Sequence, residues 1–179
     1  MTEHLRVSRL DVAHRQLNLA IRLIFDCADP VAVLTLVGAA ATILNNASAE
    51  QGNVLASPEF YRMTHKAQNL FKQAGMDLEA MFELDPCDSE SLAFWAVMNA
   101  SELGPLSLEQ QLYQHWYIAS HLLHGEEHET LLSGALQAFG DLSAKCHREQ
   151  IQAGARGLAE LEASGPSDST HWKSQGDYQ

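Results

Sequence analysis

The chain has 179 residues, of which 46% are hydrophobic and 19% charged, a composition that suits one globular domain and excludes a disordered chain. Its formal net charge of −12 is divided unevenly: residues 1–75 hold seven basic and six acidic side chains, residues 76–179 four and seventeen. A surface this acidic repels phosphate backbones, which argues against broad nucleic-acid binding and leaves only the N-terminal half able to offer a local basic face.

Apolar residues recur at three- and four-residue steps along the chain, and no alternating strand pattern competes with them. A first helix is predicted from Leu5 to Cys27, with Leu10, Ala13, Leu17, Ile21 and Ile24 on its inward stripe. Asp29-Pro30 then supplies an N-cap and first turn for a second helix that reaches about Asn45. That helix has almost no polar face, which places it at the centre of a bundle, buried on all sides. Its apolar run, Val31 to Leu44, is shorter than the roughly 20 residues a bilayer demands, so no membrane association is expected. Residues 45–56 read as a polar loop.

Ser57-Pro58 repeats the cap-and-proline signal for a third helix, which Gly75 closes. A fourth helix is predicted over Ser89–Leu103, with Asp88 near its cap and Gly104-Pro105 at its end. Ser107 and Gln110 form a capping-box pattern for a fifth helix reaching His124. A sixth helical region starts near Glu126, breaks near Gly140 and resumes to about Glu162. The expected fold is all-α: a single helical bundle of five to seven helices over residues 1–163, followed by a flexible polar tail, 164–179. Cys27, Cys87 and Cys146 have neither metal-knuckle nor redox spacing and read as structural thiols of a reducing, cytoplasmic environment. Charged residues Glu3, Arg6, Arg9 and Asp11 interrupt any apolar leader, so no targeting segment is expected.

The motif that stands out chemically lies on the third helix. At 100° per residue, Arg62, Lys66 and Asn69 share a face that His65 and Lys72 flank, opposite the apolar stripe. Converging cations with an orienting amide suit an anion or phosphate; a solvated surface face is the plainer alternative. His121, His124 and His128 have a spacing that could gather imidazoles for a metal, but Gly125 interrupts the helix between them, so no metal site is assigned. The aromatic run Tyr113–Tyr117 reads as core, and Asp11 with His14 offers an acid–base pair lacking a nucleophile. There is no phosphate-binding glycine loop, nucleophile elbow or zinc-protease motif. Without a complete catalytic constellation, the reading is a non-catalytic binding or interaction protein that uses no cofactor and takes a small anionic ligand or a protein partner.

Two resemblances bear on this. Residues 10–44, LDVAHRQLNLAIRLIFDCADPVAVLTLVGAAATIL, and the segment NLFKQAGMD are similar to an uncharacterised family of small bacterial all-α proteins. That family's second segment has the pattern N-F-F-K-H-A-x-x-D, which Asn69, Phe71, Lys72, Ala74 and Asp77 match. Leu34 and Gln73 stand where the family pattern has histidines. More distantly, the first helical pair resembles the opening of higher-eukaryote-and-prokaryote nucleotide-binding (HEPN) domains, which are helical bundles, often homodimeric, and in some members ribonucleases. The HEPN nuclease signature is an Arg followed four to six residues later by a His, late in the domain. Here that spacing occurs only from Arg9 to His14, in the first helix, so the resemblance supports a fold more than that activity.

Overall fold

Ser8 and Asp11 decide where the chain first turns helical. In the computed structural model, which describes residues 7–52, 65, 68–69, 85–121 and 129–164, the Asp11 N–H donates to Ser8 Oγ at 3.0 Å. The Ser8 N–H donates back to the Asp11 carboxylate at 3.3 Å. This reciprocal box satisfies two otherwise orphaned donors, so α1 runs Arg9–Phe25, starting later than predicted. Its other end closes with Cys27 in the left-handed region, φ 53°, while the Ala28 N–H reaches back to the Leu23 carbonyl at 2.9 Å. That is the hydrogen bonding of a Schellman cap, with cysteine in the position glycine usually takes.

Asp29 caps α2, Pro30–Glu50, by accepting the Val31 N–H at 2.8 Å. The helix continues through the predicted loop start at Asn45. Ser48, one turn further, is fully buried, and its hydroxyl donates to the Asn99 carbonyl at 3.4 Å. Packing of this kind outweighs the weak helix preference of the asparagines. By length and composition alone α2, at 21 residues, is long and apolar enough to cross a membrane, a test that the core helix of a soluble protein also passes. It packs between α1 and α3 and buries Val33, Leu34, Val37, Ala40, Ala41 and Leu44 there; Val31, Ala32 and Thr35 are exposed.

Asp85, three residues ahead of the predicted cap, opens α3, Pro86–Leu103, by accepting the Cys87 N–H at 2.9 Å. The Ser107–Gln110 box forms as predicted, with both of its bonds at 3.3 Å, and opens α4, Leu108–His121. The predicted sixth region is two helices, α5 at Glu129–Phe139 and α6 at His147–Ser164. Gly140 separates them at φ 67°, and Asp141 forms the next turn by accepting from Ser143. The described residues therefore make an all-helical structure of six helices with no strand, within the predicted range. Its core joins Leu17 and Ile21 of α1, Val37 and Leu44 of α2, and Phe94 and Val97 of α3 to Tyr113, Trp116 and Ile118 of α4. The three cysteines are free and exposed, so none is a core side chain. The tail 165–179 lies outside the described residues.

Candidate functional site

Of the predicted anion face, His65 and Asn69 are described; Arg62, Lys66 and Lys72 lie outside the described residues. Residues 65, 68 and 69 are helical, as predicted. His65 is exposed, and Asn69 Nδ2 lies 2.8 Å from His65 Nδ1. Gln68 Nε2 donates to Thr42 Oγ1 at 3.5 Å, which ties this stretch to α2.

The other candidates turn inward or to caps. Asp11 is held by Ser8, whose hydrogen bonds keep its carboxyl below the ordinary carboxylate range. His14 Nδ1 instead meets the amide of Gln110, 3.0 Å from its nitrogen and 3.2 Å from its oxygen. Gln110 also donates to Asn18 at 2.7 Å, and Ser107 Oγ donates to the same Asn18 oxygen at 3.1 Å. The capping glutamine of α4 thus ties that helix to α1. Tyr113, Trp116 and Tyr117 are core, as expected, and Trp116 Nε1 donates to the Gln150 carbonyl at 2.7 Å. His121 stacks on Tyr117 with ring centroids 4.0 Å apart, while His124 and His128 lie outside the described residues. Among the described residues no group of histidines, cysteines and carboxylates is arranged to hold a metal ion.

One cluster was not anticipated. Glu90, in the second turn of α3, has a side chain only 5% exposed, and His147 at the start of α6 reaches it with Nε2 2.8 Å from Oε1. Around them Tyr113 donates its hydroxyl to the Glu90 carbonyl at 3.0 Å, and the hydroxyls of Ser91 and Tyr117 lie 2.8 Å apart. Burial raises the Glu90 carboxyl above its ordinary range, against the downward pull of His147 and His121. Cys87, one turn before Glu90, is an exposed residue whose thiol is partly desolvated; that desolvation first, and then Glu90 and Asp85, push it up to about 11, so it is not an activated nucleophile. Part of this cluster was visible in the sequence: Glu90 shares a helical face with Phe94 and Val97, an acid within an apolar stripe. Its partner lies 57 residues away, and nothing local in the sequence points to it.

In comparisons with family models, curated proteins and solved structures, none matches the chain.

Proposed function

We propose that the chain is a non-catalytic helical binding protein of the cytoplasm, taking a small anionic ligand or a protein partner on the basic face of Arg62, His65, Lys66, Asn69 and Lys72. The observation that carries this reading is the pair at the described end of that face. His65 is exposed, Asn69 is hydrogen-bonded to it at 2.8 Å, and Gln68 anchors the stretch beside α2. An imidazole and an amide so paired form a polar spot suited to an anion's oxygens, with the neighbouring cations as its charge. The non-catalytic part of the reading is supported by the structural contacts of three candidate acids and bases. The Asp11 carboxylate accepts from Ser8 in the capping box of α1, His14 meets Gln110, and Glu90 meets His147.

The test is calorimetric titration of the purified protein with inorganic phosphate, nucleotides and amino acids. At least one of them is expected to bind saturably, and Lys72→Ala and Asn69→Ala are each expected to weaken it about tenfold or more, the scale of a lost charge-assisted hydrogen bond. Binding that is indifferent to both substitutions would remove this face as the site. Cleavage of total RNA that disappears in His14→Ala or His65→Ala would replace the reading with a HEPN-type ribonuclease.

A further inference from the structure

The Glu90–His147 pair joins α3 to α6, two helices that otherwise pack mainly against other helices. The surroundings of Glu90 can be taken helix by helix. Its own α3 contributes Asp85, Cys87 and Asp88, all acidic or potentially so. From α4 come Tyr113 and Tyr117, whose hydroxyls meet the Glu90 carbonyl and Ser91, together with His121 at longer range. From α6 comes His147, in contact and half exposed, with Arg148 and Glu149 following it on the exposed turn. Among these groups His147 is the one that can set a positive charge against the buried carboxylate at hydrogen-bond distance.

We propose that Glu90 and His147 form a proton-operated clasp, which fastens the first turn of α6 to α3 while the pair holds one proton and frees that turn when the proton leaves. With one proton the pair is imidazolium and carboxylate, and the attraction offsets the burial of Glu90. Removing it leaves a buried carboxylate facing a neutral ring, with Asp85, the N-cap of the same helix, opposing it. Imidazole is the side chain whose proton exchanges near physiological pH.

Freeing stays local because the next turn is held otherwise. Trp116 Nε1 donates to the Gln150 carbonyl at 2.7 Å, and Gln150 Nε2 donates to the Ser120 and Leu142 carbonyls at 3.3 and 3.0 Å. One turn on, Gly154 lies against Phe25. The segment that responds is therefore residues 140–149, whose other anchors are at Leu142: its buried side chain, its N–H on the Ala119 carbonyl and its carbonyl under Gln150 Nε2. This inference does not depend on the anion face.

Hydrogen exchange of the full chain from pH 6 to 8.5, corrected for the intrinsic rate, tests it, with α1 as the internal reference. Opening of 140–149 is expected to rise by up to about tenfold per pH unit, the limit for one coupled proton. The rise should vanish in Glu90→Gln and in His147→Gln and persist in His121→Gln. The half-exposed His147 site keeps the test intact where Glu90→Gln impairs folding. An opening that ignores pH in the native chain, a rise surviving His147→Gln, or one abolished by His121→Gln overturns the clasp.

Discussion

Asn99 and Gln110 are both fully buried polar side chains on apolar helices, and their circumstances are opposite. Gln110 bonds to His14, Asn18 and Ser107. Neither amide atom of Asn99 has a partner among the described residues. An unsatisfied buried polar group costs about 1–3 kcal/mol, and replacing it with an apolar side chain of similar size recovers part of that. Asn99→Leu is therefore expected to raise stability by about 1–2 kcal/mol, read as a higher midpoint in urea denaturation. A drop of that size would mean that the amide is hydrogen-bonded in solution. Ser107–Gln110 was legible in the sequence as a cap because a cap is local. The further partners of Gln110, more than 90 residues away, were not, and neither was the isolation of Asn99.

At the scale of elements, glycine decides how closely α6 approaches α1. A Cβ built on Gly154 would stand 2.1 Å from Phe25 Cε1. The ring has little room to retreat, being edge-on to Trp116 at 5.1 Å and tilted against Tyr113 at 5.8 Å. Gly154→Ala gains about 1 kcal/mol of helix propensity, but the overpacking costs about 1–3 kcal/mol. The expected result is a net loss of about 1–2 kcal/mol and a lower thermal midpoint by circular dichroism; a raised midpoint would show that Phe25 moves aside. In the sequence a glycine within a helical pattern signals only weak propensity; the aromatic ring it accommodates belongs to another helix. Near the same junction Arg22 of α1 pairs with Glu109 of α4 at 2.9 Å and also with Glu162 of α6. These groups are partly exposed, so the bridge contributes orientation more than stability.

At the scale of the whole molecule, buried titratable groups shape how stability varies with pH. Burial between α4 and α5 pushes His115 below the ordinary imidazole range, and its ring lies 3.2 Å from where a Gly134 Cβ would be. A histidine whose folded value is depressed stabilises the protein above its unfolded value, and that stability is lost as pH falls from there through the folded value. Glu90 has the reverse sign: its raised value gives stability that is present at low pH and lost as pH rises. Replacing His115 by Gln is expected to remove an acid-side loss of at most about 1.4 kcal/mol per pH unit between pH 7 and 5. Urea midpoints of the two proteins across that range check it. Identical slopes would mean that His115 does not titrate with folding.

Periodicity and capping residues by themselves determined that the described residues are all-helical, that Asp29-Pro30 and Ser107–Gln110 open helices, and that Tyr113 and Trp116 are core. These features depend on neighbours within a turn or two, and a linear string displays such neighbours directly. Only the tertiary structure decided that α2 continues past Asn45 and that Glu90 meets His147. Each of these depends on what a distant helix places opposite the residue, and the free energy of burial or pairing belongs to that juxtaposition and to neither residue alone.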